Sequence, residues 1–83
     1  MAETEIGKVT HYFGHIGVAG VKLSGDLSVG DTVHILGHTT DHTQKIESIQ
    51  IEHDQVATAT SGAEIGLKVA EHVREHDTVY RVD

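Results

Sequence analysis

From Ile6 onward the apolar residues recur at every second position rather than every third or fourth. That is the period of a strand with one buried face, not of an amphipathic helix. Val9, His11 and Phe13 fall on one face of a first strand. A glycine-rich stretch, Gly14 to Gly20, leads to a second strand with Ala19, Val21 and Leu23 in phase. Ser24-Gly25-Asp26 has the composition of a chain reversal. Leu27 and Val29 then form an apolar pair, and Gly30-Asp31 turns the chain into Thr32–Gly37, where Val33 and Ile35 alternate with His34 and Leu36.

His38–His42 is polar and reads as a loop. Gln44–Glu52 reads as the longest strand, but Ile46 is out of phase with Ile49 and Ile51, which predicts a β-bulge at Glu47-Ser48. Asp54–Gly62 reads as a loop that dips Val56 and Ala59 into the core. Ala63–Ala70 alternates again with Ile65, Leu67 and Val69 on one face. Glu71–His76 is a charged connection, and Thr78–Val82 is a closing strand with Tyr80 and Val82 in phase. Residues 1–4 read as a frayed acidic tail and residues 5–83 as a single domain. The expected fold is all-β: a small closed or nearly closed antiparallel barrel of roughly six to seven strands, which removes the exposed edges so small a sheet would otherwise leave.

Composition narrows the function. The chain has 83 residues, 37% of them hydrophobic, with nine glycines and no proline, cysteine or tryptophan. That is enough for one thin core with a stability on the order of 5 kcal/mol. Without cysteine there is no disulfide, zinc-thiolate or thiol nucleophile. The start MAETEIGK has neither the basic residues nor the apolar core of a signal peptide. No apolar run approaches the roughly 20 residues needed to cross a bilayer. A cytoplasmic protein with no membrane contact is expected. Thirteen acidic against six basic residues give a formal charge of −7, which repels phosphate backbones and disfavours general nucleic-acid binding.

The order Gly25, Leu27, Val29-Gly30-Asp31, Val33, Ile35, Gly37 resembles the second-domain β-barrel of elongation factor Tu and related translation GTPases. Gly62-Ala63-Glu64-Ile65-Gly66-Leu67 and Asp77-Thr78-Val79-Tyr80 resemble later strands of that barrel. Val9-Thr10-His11-Tyr12-Phe13, Gly37-His38-Thr39-Thr40-Asp41 and Ser48-Ile49-Gln50-Ile51-Glu52-His53 are similar to free-standing translation elongation factor-like proteins. The same segments resemble the C-terminal domain of collagenase-like peptidases. One departure is His76, where such sequences place glycine before the final aspartate; histidine tolerates left-handed φ better than most residues. The resemblance implies turn-forming roles for Gly25, Gly30, Asp31 and Gly37, with Gly25 at positive φ. It also implies a non-catalytic module that contacts a translation component, an RNA end or a factor. The alternatives are a protein-interaction domain partnering a collagenase-like peptidase, or a histidine-based metal- or pH-responsive module.

Candidate chemistry is sparse. No G-x-x-x-x-G-K-[ST] phosphate loop, G-x-S-x-G elbow or H-E-x-x-H helix occurs. A barrel of this size fills its interior with side chains, so no enzyme activity and no cofactor are expected. Eight histidines stand out. His11/His15, His34/His38/His42 and His72/His76 are spaced by four, which on a strand separates them by about 13 Å, too far to share an ion. His72 and His76 remain weak metal candidates if their loop makes a helical turn. Of the adjacent Tyr12 and Phe13, one must face the core and the other solvent, where it offers a stacking platform. Tyr12, His15, His38, Thr40 and His42 are the candidate contacts for a protein or ribonucleoprotein partner.

Overall fold

A computed structural model describes residues 3–82. Ten strand segments follow one another, and no helix occurs among the described residues, so none is long and apolar enough to cross a membrane. They are β1 (Glu3–Phe13), β2 (Val18–Leu23), β3 (Leu27–Ser28), β4 (Thr32–Leu36), β5 (Asp41–Lys45), β6 (Ile49–Ile51), β7 (Asp54–Val56), β8 (Thr58–Ala59), β9 (Glu64–Lys68) and β10 (Thr78–Val82). Eight form one antiparallel sheet in the order β5-β4-β10-β1-β2-β9-β6-β7; β3 and β8 form a separate two-stranded ribbon.

The expected all-β antiparallel class is observed, but the hydrogen-bond ladder does not close into a barrel: β5 and β7 end the sheet. The two ends nonetheless belong to one stretch of chain. The predicted long strand Gln44–Glu52 is broken at Ile46–Ser48, so that β5 lies at one edge and β6 joins β9 near the other. A break takes the place of the expected bulge because Ile46 is needed in the core, where it is 1% exposed, and its backbone bonds Gly30 and Asp31 rather than a strand.

β1 is the hinge of the sheet. It pairs with β10 along its first half and with β2 along its second, with a register shift in each ladder, at Glu5/Gly7 and at Val9/His11. Such irregularities bend and twist a strand, wrapping the sheet around its apolar face. The second shift also reverses the phase expected for the strand's end: Val9 is buried, Tyr12 packs against the core, and His11 and Phe13 face out. Glu3 and Thr4, expected in a frayed tail, pair with Val82 and Arg81; residues 1 and 2 lie outside the described residues.

Elsewhere the alternation holds. Ala19, Val21 and Leu23, Val33 and Ile35, and Ile65, Leu67 and Val69 are all buried on one side. β10 takes the opposite phase from that expected: Val79 is fully buried opposite Ile35, and Tyr80 faces outward. Arg81 occupies an inward-phase position and snorkels its guanidinium to the Asp26 carbonyl at 2.9 Å. The stretch 54–62 forms β7 and β8 instead of a plain loop, with Val56 half-buried and Ala59 buried.

Candidate functional site

The four turn residues do different work. Gly30 has φ +99, which a side chain rarely adopts. Asp31 clips the same turn: its carboxylate accepts from the Ser28 amide at 2.9 Å and its own amide donates to the Ser28 carbonyl at 3.0 Å. Of the apolar pair Leu27 and Val29, Val29 is exposed at the tip and only Leu27 is buried. Gly25 does not take a positive φ, contrary to expectation. It is constrained by Ile6, whose Cγ2 would lie 3.1 Å from a Cβ at that position. Gly37 is needed for space: a Cβ there would overlap the Asp77 carboxylate.

The candidate contact residues do not converge. Tyr12 is not the exposed member of its pair; it is half-buried and stacks on His72 with ring centroids 4.5 Å apart. His15 is exposed in the β1–β2 turn. His38 is exposed in the β4–β5 turn, whereas Thr40 is buried beneath it and its carbonyl accepts from the Gly37 amide at 2.7 Å. Among the described residues no hydrogen bond or ring contact joins these turns. His42 lies along the seam between sheet ends. Its Nε2 donates to the Gln44 Oε1 at 2.8 Å, and Gln44 in turn accepts from the Ala70 amide and donates to the Lys68 carbonyl, both at 2.9 Å.

Among the described residues no group of three or more histidine, aspartate and glutamate side chains is placed to hold a metal ion. His72 is engaged with Tyr12, and His76 sits at φ 73, in the left-handed conformation that the departure from glycine anticipates. The most tightly bonded histidine is His34, half-buried on β4. Its Nδ1 lies 3.1 Å from the Glu3 carboxylate and its Nε2 2.6 Å from Asp41. These hydrogen bonds, first Glu3 and then Asp41, raise its pKa above the ordinary 6.5. No serine or threonine hydroxyl hydrogen-bonds to His34 among the described residues, so the arrangement is an ion-pair clamp across β1, β4 and β5.

A concave feature lies on the outer face of β2, β9 and β6. Gly20 and Gly66 are cross-strand partners there, and Gly66 also faces Gln50. With no side chains at two adjoining positions, the sheet surface is lowered. Two adjoining depressions, about 380 Å³ and 470 Å³, share Ile16, Val18, Gln50 and Gly66 as walls. One rim is the β1–β2 hairpin, with Phe13 47% and Ile16 65% exposed; the other carries Glu52 and His53. Gly66 was legible as part of a strand, but its role was not. The available signal was glycine in two strand interiors, which marks close approach of another backbone or a ligand.

No family model matches the chain. Over 83 residues it is 42% identical to a collagenase of Porphyromonas gingivalis, covering 98% of this chain and 23% of the collagenase. Over 77 residues it is 40% identical to an uncharacterized protease of Methanocaldococcus jannaschii, covering 92% of this chain and 19% of the protease. The chain therefore spans about a fifth of the length of these relatives. Among solved structures, the C-terminal domain of a Geobacillus thermoleovorans protein assigned to the U32 peptidases matches with a TM-score of 0.90 at 23% identity, covering 96% of this chain and 93% of that domain. Its selenomethionine variant matches with a TM-score of 0.86.

These similarities overturn the reading of the chain as a translation elongation factor-like module that contacts an RNA end or a factor. The physical reason is that the Leu23–Gly37 segment encodes turns and core contacts. Its glycines are explained by φ and close packing, and none of them carries ligand chemistry. The secondary resemblance was the right one: the homologues of this chain are collagenase-like peptidases, and its fold is that of the C-terminal domain of a U32 peptidase.

Proposed function

We propose that this domain is a non-catalytic protein-binding module that docks onto the catalytic part of a collagenase-like peptidase. The observation that carries the reading is the 42% identity to about a fifth of a collagenase, over 98% of this chain. A module of that size, with its interior filled by aliphatic side chains, offers surface rather than a substrate cavity. The acidic surface, with a formal charge of −7, favours a protein partner over a phosphate backbone. The lack of cysteine fits a reducing compartment such as the cytoplasm.

In this reading the curled sheet acts as a nearly closed barrel. Gln44 spans the seam through Lys68 and Ala70, and the Gly30 amide donates to the Ile46 carbonyl where the chain crosses it. A rigid closed shape suits a docking module, because binding then costs little ordering of the backbone. Affinity capture from native lysate, with and without nuclease, tests the function. Nuclease-resistant recovery of a collagenase-like peptidase is expected. Recovery that disappears with nuclease overturns the reading.

A further inference from the structure

We infer that the Gly20–Gly66 groove is the docking site, and that it receives an extended partner segment carrying an arginine flanked by apolar residues. The inference rests on the protein-binding role proposed above and names its site. Three features carry it. First, the paired glycines expose sheet backbone at the floor, where a chain can approach closely: Gly66 is opposite Gly20 on one side and Gln50 on the other. Second, the β1–β2 hairpin leaves Phe13 and Ile16 standing over that floor, the two most exposed of the large apolar side chains that reach solvent. Large exposed apolar side chains at the edge of a depression mark interaction sites.

Third, the charge of the groove is one-sided. Its walls include the carboxylates of Glu47, Glu52 and Glu64 and the single ammonium of Lys68. Lys22 reaches Glu64 only at 4.0 Å, with both groups well exposed, so that pair is weak. His11 lies beside Phe13, with centroids 4.3 Å apart and ring planes tilted by 57°, so the rim carries two neighbouring aromatic rings. An aromatic face beside carboxylates is the environment that guanidinium fits best, since it stacks as well as pairing in bidentate fashion. An acidic or phosphate-bearing partner would meet like charge there instead.

The test uses the whole protein, labelled with 15N, and two probe peptides of matched apolar content, one with a central arginine and one with glutamate in its place. The arginine peptide is expected to shift the Gly20 and Gly66 amide resonances saturably, and to bind at least tenfold more tightly than the glutamate peptide. Gly66→Val, which fills the floor, should lower its affinity at least tenfold. If that variant fails to fold, the exposed pair Glu52→Lys with Glu64→Lys should give the same loss. Equal response to both peptides, no shift at either glycine, or unchanged affinity in the variants overturns the groove. Loss of the groove with peptidase capture intact leaves the function standing. Peptide binding without peptidase capture removes that function and keeps the groove.

Discussion

The Asp77 carboxylate fills the space that any side chain at Gly37 would need. Asp77 is 4% exposed; its Oδ2 accepts from the Arg74 amide at 2.8 Å and its carbonyl from the Val9 amide at 2.8 Å. The contact therefore ties three things together: the end of β4, the turn before β10, and the point on β1 where the register shifts. Gly37→Ala is expected to cost about 2–4 kcal/mol, by overpacking or by displacing a buried carboxylate. In an Asp77→Ala background the same change should cost less than half as much, because the obstructing group is gone. Urea melts of the four proteins check this, and additive costs would contradict it.

The β6–β7 hairpin turns on Glu52 and His53, at φ 51 and φ 71. Two consecutive positive values define a two-residue type I′ turn, for which Asn-Gly is the favoured pair. Glu52→Asn with His53→Gly should stabilise the protein by about 0.5–1.5 kcal/mol, since left-handed conformations cost that order for residues with a Cβ. A lower midpoint in chemical denaturation would contradict the turn assignment.

The His34 clamp makes stability depend on pH. Its folded pKa is raised by hydrogen bonds to Glu3 and Asp41. A raised histidine contributes stability in full below its unfolded value of about 6.5, and loses it as pH rises through the folded value. Between about pH 6 and pH 8 the wild type should lose stability while His34→Gln stays flatter. Melting temperatures in dilute buffer check this, and parallel profiles for the two proteins would contradict it. High salt should shrink the difference, because Asp41 is 76% exposed.

Gln44 spans the seam through its side chain, beside the backbone bond from Gly30 to Ile46. Gln44→Leu removes the acceptor of the Ala70 amide and the donor to the Lys68 carbonyl, and should cost about 1–2 kcal/mol. Hydrogen exchange at Ala70 should accelerate by at least tenfold, with amides of β1 and β2 changing only in step with global stability. Unchanged Ala70 protection would contradict the bridging role.

Much of the fold was legible because period two is a strong signal where one face is buried. Ala19-Val21-Leu23 and Ile65-Leu67-Val69 leave no alternative phase. The phase failed at Phe13 because one inserted residue near Thr10 reverses everything after it, and nothing in the sequence marks that insertion. It failed at β10 because Val79 and Tyr80-Val82 offer two plausible faces. The charged Arg81 argued against the phase actually used, and only its long stem makes that phase tolerable. The β6–β7 turn was hidden because Glu-His is an unusual pair for its geometry. The groove was invisible for a different reason: it exists only when Gly20 and Gly66, far apart in sequence, become cross-strand partners.

The most direct test of a protein-binding function is a pair of titrations into the 15N-labelled protein at low salt, one with the captured collagenase-like peptidase and one with bulk tRNA. Saturable shifts or broadening centred on Gly20, Gly66 and Phe13 with the peptidase, and none with tRNA, are the expected result. A response to tRNA that weakens steeply with salt, with no response to the peptidase, would contradict the account.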